Sequence, residues 1–230
     1  MTNKSIFVAC DTSNLREIKK IIKYTQNNRI KITPKFGLQF FYSRNGRKFL
    51  ENFKKDFWLD VKINDIPQTA LSAIDSLKDL KKCKYITVHT NGGLKMLSAV
   101  KKKARLINKD LKVLGVTILT SLDNKSLKEI GHTKSVEKLV LKQASLIKKS
   151  GCDGIVCSAQ EAKTIRKRYK SLFIVTPGIR LPGDNANDQS RVTTPDEAFK
   201  SKVSGIVMGR SLIKGNIKNN IKRLIDHLNK

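Results

Sequence analysis

Residues 85–119, YITVHTNGGLKMLSAVKKKARLINKDLKVLGVTIL, contain the unit whose repetition decides the fold. YITVH (85–89) is short and rich in β-branched residues, which predicts a buried strand, and the turn residues NGG (91–93) end it. Residues 94–106 have the apolar spacing of a helix, and KVLGVTIL (112–119) predicts the next strand. This order predicts two parallel strands joined by a right-handed crossover.

The same alternation of strand and helix runs along the whole chain. The other predicted strands lie at 5–11, 31–37 (with Pro34 near its end), 57–62, 153–158, 171–178 and 204–210. A terminal amphipathic helix is predicted from Ile217, Ile221, Leu224, Ile225 and Leu228. Eight such repeats in 230 residues predict an α/β fold, a closed (β/α)8 TIM barrel that forms a single domain over residues 1–230.

The net charge of +28 is the most unusual feature of the composition. Such a charge is typical of nucleic-acid binders, so a basic nucleic-acid-binding factor stays open as an alternative. However, the basic residues are spread along the chain and are mostly lysine, and aromatic residues are only 6%. We therefore favour a lysine-rich surface without specific nucleic-acid binding. No apolar run reaches the length of a membrane span, which predicts a cytoplasmic protein without a membrane partner.

The four cysteines and three histidines do not form a metal-binding pattern. Cys152 and Cys157 are the only close cysteine pair, and no second pair matches it. We expect buried, reduced thiols and no metal site. We also expect His89, at the end of a predicted strand, to be a hydrogen-bonded structural residue.

Charged or polar residues follow most of the predicted strands, where the C-terminal mouth of a barrel carries its active site. These residues are Asp11, Lys35, Asp60 with Lys62, His89, Thr120, Arg180 and Arg210. Asp60 and Lys62 are two apart on one strand and therefore should share a face. The alternative is a salt-bridge network that serves only the structure.

The ends of the last two strands predict a phosphate site. TPGIR (176–180) and MGR (208–210) each combine glycine, backbone N–H groups and an arginine at the positions where barrels commonly bind phosphate. The long segment 181–195 lies between them and is the candidate lid.

Several of these motifs resemble those of orotidine 5′-phosphate decarboxylase. DVKINDIP (60–67) is similar to the D-x-K-x-x-D-I-P signature of that family, and VTPGIR (175–180), D-Q-x-R (188–191) and GR (209–210) resemble its phosphate-binding elements. Asp11, Lys35, V-H-x-x-G-G at 88–93 and L-T-S at 119–121 follow in matching order. The resemblance covers essentially the whole chain, although Gln68 stands where the family commonly has asparagine.

The resemblance implies a homodimer that decarboxylates orotidine 5′-monophosphate to uridine 5′-monophosphate, the last step of de novo UMP synthesis, without metal or organic cofactor. Lys62 would donate the proton to C6, Asp60 would face the substrate carboxylate, and Lys35 would order the network and bond the ribose. Asp65 would reach the ribose of the partner subunit's ligand. The resemblance also implies ligand contacts from Asp11, Thr69 and Thr120, and phosphate contacts from Arg180, Gln189, Gly209 and Arg210.

Two further alternatives remain open from the sequence. One is a related sugar-phosphate decarboxylase or synthase on the same barrel, which would need Mg²⁺ and a glutamate ligand. The other is a nucleotide-binding barrel without catalytic activity.

Overall fold

The computed structural model describes residues 4–25, 30–185 and 192–229, and within them eight parallel strands form one sheet. The strands are β1 (Ser5–Cys10), β2 (Ile32–Phe36), β3 (Phe57–Ile63), β4 (Cys83–His89), β5 (Lys112–Val116), β6 (Gly154–Val156), β7 (Phe173–Thr176) and β8 (Gly205–Met208). Each strand pairs with the next, and β8 pairs with β1, so the sheet is a closed barrel. The predicted (β/α)8 TIM barrel is confirmed.

Helices follow the strands and cover the outside of the barrel. They are α1 (Leu15–Thr25), α2 (Leu38–Phe41), α3 (Gly46–Asn52), α4 (Pro67–Asp75), α5 (Gly93–Ile107), α6 (Asn124–Glu129), α7 (Val136–Lys149), α8 (Ala159–Arg168), α9 (Pro195–Lys200), α10 (Arg210–Ile213) and α11 (Ile217–Leu228). In α5, Met96, Leu97, Val100 and Ala104 are buried at helical spacing. Among the described residues, no helix is both long enough and apolar enough to span a membrane.

The core consists of two layers separated by the barrel wall. Side chains that point inward fill the barrel itself, and they are Phe7, Trp58, Leu114, Val175 and Val207, with Tyr85, Val156 and Phe173 packed against them. A larger apolar layer lies between the strands and the surrounding helices. Because successive strand residues point to opposite sides, one strand serves both layers. The middle of the barrel is therefore filled by side chains.

The predicted strand positions are confirmed, but several ends are wrong. β5 ends at Val116 rather than at residue 119, because residues 118–121 line the mouth of the barrel instead of pairing with a strand, although Ile118 is still buried. Pro34 lies at the centre of β2 rather than near its end. It is tolerated because the pairing of β2 with β3 begins only at the next residue, Lys35.

The four cysteines are buried and unbonded to one another, as the sequence predicted. Burial raises the pKa of Cys10 and of Cys83 to about 12, so both are protonated at neutral pH. These thiols are therefore part of the apolar packing.

Candidate active site

A cavity of about 470 Å³ lies at the C-terminal mouth of the barrel. It is lined by predicted site residues from several strand ends: Asp11, Lys35, Asp60, Lys62, Thr120, Arg180, Gly209 and Arg210. Its floor includes Trp58, which the sequence did not single out, and its wall includes apolar residues of β5 and β6. The cavity therefore joins a charged end, near β2 and β3, to an arginine-containing end, near β7 and β8.

The charged end is a lysine–aspartate–lysine array. Lys35 Nζ lies 2.8 Å from Asp60 Oδ2, and Lys62 Nζ lies 3.1 Å from Asp60 Oδ1. The side chains of Lys35 and Asp60 are only 10% and 11% exposed, whereas that of Lys62 is 33% exposed. The ammonium of Lys62 is thus the charge of this array that is most accessible to a ligand.

Asp60 remains ionised although it is buried. Burial raises its pKa, but the charges of Lys35 and Lys62 and the hydrogen bonds from Lys35 and Thr87 lower it by more. The net effect holds the pKa of Asp60 well below its ordinary range. The mouth of the barrel therefore carries a fixed negative charge between two positive charges.

Thr87, which the sequence analysis missed, orients both members of the D-x-K pair. Its hydroxyl donates to Asp60 Oδ1 at 2.9 Å and accepts from the backbone N–H of Lys62 at 2.9 Å. Lys62 has a φ of +48°, which is rare for a residue other than glycine, and the pairing of β3 with β4 is irregular between Leu59 and Ile63. The sequence analysis expected Asp60 and Lys62 to share a face because they are two apart on a regular strand. In the structure, a bulge at Lys62, held by Thr87, brings their side chains together instead.

Trp58 supports the array from below. The indole packs edge-on against Phe7, with ring centroids 4.9 Å apart, and Lys35 Nζ lies 5.8 Å from the centroid of the indole ring. That separation is within the range of a cation–π interaction. Because Trp58 precedes Asp60 by two residues on β3, both side chains face the barrel interior.

Asp11 lies at the cavity wall after β1, where the chain after β2 approaches it closely. Its Oδ1 accepts a hydrogen bond from the backbone N–H of Phe40 at 3.3 Å. A Cβ atom on Gly37 would overlap the carboxylate of Asp11, so only glycine leaves room for this contact. The sequence offered Gly37 only as the last residue of a predicted strand.

The arginine-containing end is built by the segments after β7 and β8. Gly178 has a φ of +77°, and Arg180, 7% exposed, donates from Nε to Asn185 O at 3.2 Å. The backbone of Thr193 bonds to Gly178 and Arg180, which pins the two ends of the intervening segment together. Arg210 begins α10 directly after Gly209. The predicted contact of Gln189 and the D-Q-x-R motif at 188–191 lie outside the described residues.

Asp65 and Thr69 do not line this cavity in the single chain. Both are exposed and line a neighbouring depression of about 370 Å³, which also contains Lys62 and Tyr42. Two exposed large apolar side chains lie at or beside it: Tyr42, 76% exposed, lines the depression, and Ile66, 67% exposed, follows Asp65 in the chain. Lys62 therefore stands between the cavity and an exposed apolar surface.

His89 makes the structural hydrogen bond that was expected. Its Nδ1 accepts from the backbone N–H of Asn91 at 3.3 Å and caps the short 3₁₀ helix at Thr90–Gly92. Burial and the charge of Lys62 lower the pKa of His89, so the neutral ring is favoured. Among the described residues, no group of three or more His, Cys, Asp or Glu side chains is arranged to hold a metal ion.

Comparison with known proteins gives one consistent result. Residues 4–222 match the model of the "Orotidine 5'-phosphate decarboxylase / HUMPS family". The chain is 43% identical to an orotidine 5′-phosphate decarboxylase of Staphylococcus epidermidis over 77% of this chain and 79% of the relative. It is 37% identical to that of the Wolbachia of Brugia malayi over 96% of both chains. A crystal structure of the Lactobacillus acidophilus enzyme of that name matches with a TM-score of 0.81 and 28% identity, covering 99% of this chain and 100% of the other.

Proposed function

The chain belongs to the orotidine 5′-phosphate decarboxylase / HUMPS family, and from that premise we propose that it converts orotidine 5′-monophosphate to uridine 5′-monophosphate and CO2. This is the last step of de novo UMP synthesis. The observation that carries the proposal is the ionised Asp60 between Lys35 and Lys62 at the mouth of the barrel. The Wolbachia relative and the Lactobacillus acidophilus structure both carry the name orotidine 5′-phosphate decarboxylase, and each aligns with this chain over nearly its whole length.

Lys62 is the proposed proton donor. Loss of CO2 leaves an electron pair on C6 of the pyrimidine ring, and the Lys62 ammonium can stabilise this charge and then protonate the carbon. A rate enhancement of ~10^17 needs a barrier reduction of about 23 kcal/mol. Preorganised positive charge in a dry site is the largest single source of such stabilisation, and Lys62 has the required charge and accessibility.

Asp60 has the role of a fixed anion beside the substrate carboxylate. Two carboxylates ~4 Å apart repel by roughly 4 kcal/mol at an effective dielectric constant of about 20. This repulsion is a minor share of the barrier reduction, but it disappears when CO2 leaves. Lys35 keeps Asp60 ionised and in place, and its remaining ammonium hydrogens are available to the ribose. Asp11 and Thr120, which both line the cavity, are the further proposed ligand contacts.

The phosphate is proposed to bind at the opposite end of the cavity. Arg180, Gly209 and Arg210 line that end, and Gln189 is proposed to join them. Arginine side chains and backbone N–H groups at the start of a helix both favour a phosphate dianion. Binding energy from this end can hold the pyrimidine ring against Lys62, far from the phosphate itself.

We also propose that two copies form the active unit. Asp65 and Thr69 lie on the exposed apolar surface beside Lys62, where a second chain would cover Tyr42 and Ile66. In such a homodimer, Asp65 would reach the ribose of the ligand bound to the partner subunit. The reaction needs no metal ion and no organic cofactor in this proposal.

The experiment is a spectrophotometric assay of the purified protein with orotidine 5′-monophosphate. The orotate chromophore should disappear at the same rate with EDTA and with added Mg²⁺. The matched comparison is the alternative activity of the same barrel, a sugar-phosphate decarboxylase or synthase, assayed with sugar phosphates and Mg²⁺. No glutamate is among the residues that line the cavity in the described part of the chain. Turnover of a sugar phosphate in place of the nucleotide would overturn the proposal.

A further inference from the structure

One polar face of α11 contacts the segments that carry the arginine end of the cavity. The residues are Asn220, Arg223 and His227, which we call the anchor stripe. Their spacing of three and four places them on one side of the helix. The adjacent side of the same helix is fixed to the barrel, since Ile217, Ile221 and Leu224 are buried. The anchor stripe therefore lies on a helix whose position is fixed by packing.

Each member of the anchor stripe holds a different segment. Asn220 Nδ2 donates to Leu212 O at 3.1 Å and to Lys214 O at 2.8 Å. Both acceptors lie shortly after Arg210 in the chain. Asn220 thus fixes the end of α10.

Arg223 holds the segment that follows Arg180. Its Nη2 donates to Pro182 O at 3.0 Å and to Asp184 Oδ1 at 3.0 Å. The next residue, Asn185, accepts through its carbonyl from Arg180 Nε at 3.2 Å. Hydrogen bonds at the neighbouring residues Asp184 and Asn185 thus connect α11 to Arg180, a cavity residue that is itself buried.

His227 holds the far end of the same segment. Its Nε2 lies 2.6 Å from Asp196 Oδ1, at the start of α9. The described ends of the segment between β7 and α9 are therefore both attached to α11. A depression of about 280 Å³ lies beside these contacts, and it is lined by both cavity arginines and two residues of the anchor stripe: Arg180, Arg210, Asn220 and Arg223.

We infer that the anchor stripe positions the phosphate-binding residues, with Arg223 as the positioning residue for Arg180. This inference rests on the proposed function, because it assumes that Arg180 and Arg210 bind the substrate phosphate. Arg223 does not line the catalytic cavity. It acts by fixing the backbone on which Arg180 depends, so its loss weakens phosphate binding and leaves the chemistry at Lys62 intact.

The test compares Arg223→Ala with Lys222→Ala, which removes the same charge from the neighbouring exposed position of α11. For each variant, kcat and KM for orotidine 5′-monophosphate are measured, together with the inhibition constant of inorganic phosphate. In Arg223→Ala, KM and the phosphate inhibition constant should rise about five-fold, which corresponds to about 1 kcal/mol. The kcat should stay within about two-fold.

The controls separate positioning from general stability. Lys222→Ala should match wild type, and Arg223→Lys should recover part of the phosphate affinity, because lysine can reach one of the two acceptors. Equal effects of Arg223→Ala and Lys222→Ala would overturn the inference, as would a loss of kcat with an unchanged phosphate inhibition constant. A wild-type protein that does not decarboxylate the nucleotide would instead overturn the proposed function, and the inference with it.

Discussion

Replacing Asp60 with asparagine should destabilise the protein, because it leaves two lysines facing each other without their shared partner. At an effective dielectric constant of about 20, the contacts at 2.8 Å to Lys35 and 3.1 Å to Lys62 correspond to gross attractions of about 6 and about 5 kcal/mol. Most of this is cancelled by the cost of burying the charges. Breaking buried ion pairs costs about 3–5 kcal/mol, and we expect about 3 kcal/mol because Lys62 keeps contact with water.

Thermal unfolding followed by circular dichroism measures this loss. About 3 kcal/mol in a chain of this size lowers Tm by roughly 6–12 °C. Asp110→Asn is the matched control, since Asp110 pairs with Lys84 but its side chain is 71% exposed, and it should lower Tm by no more than about 3 °C.

The difference between wild type and Asp60→Asn should depend on pH in a defined direction. The pKa of Asp60 is lower in the folded protein than its ordinary value of 3.8, so its ionised form contributes stability at pH values above about 4. That contribution is lost as the pH falls below 4 toward the folded-state pKa. The two proteins should therefore converge in acid. If Asp60→Asn were as stable as wild type at pH 7, the ion pairs of Asp60 with Lys35 and Lys62 would not stabilise the folded protein, and this prediction would be refuted.

Three further changes test other parts of the site. Thr87→Val should reduce kcat about ten- to hundred-fold, since it removes a charge-assisted hydrogen bond to Asp60 worth about 1.5–3 kcal/mol; an unchanged kcat would show that this bond does not position the array. Arg210→Ala should weaken binding of uridine 5′-monophosphate in calorimetry, and unchanged affinity would contradict the phosphate assignment. Ile66→Asp should convert a dimer to monomers in gel filtration and abolish activity, because Asp65 then no longer reaches a partner's ligand; an active monomer would refute this arrangement.

The sequence predicted the barrel well because its signals are local and repeated. Each short apolar run followed by a helical pattern marks one unit, and eight units close a sheet. Strand ends were predicted less well, since apolar residues continue beyond the last paired position, as Ile118 does after β5. The position of Pro34 depends on where β2 begins to pair with β3, which is a property of two distant segments.

The sequence analysis identified the charged residues of the candidate site but missed the residues that support them. Lys35, Asp60 and Lys62 are conspicuous because charge is rare at the end of an apolar strand. Thr87 is not, because threonine is common in strands and its two hydrogen bonds depend on the bulge at Lys62. The proposed role of Asp65 depends on a second chain, so the geometry of one chain does not carry it.

The most direct test of the central claim is a comparison of wild type with Lys62→Ala, in which turnover and ligand binding are measured on the same preparations. The decrease in orotate absorbance reports turnover, and calorimetry with uridine 5′-monophosphate reports binding. If Lys62 is the proton donor beside Asp60, the variant should bind the nucleotide but show no detectable turnover. Near-normal turnover by a folded Lys62→Ala protein would contradict the account.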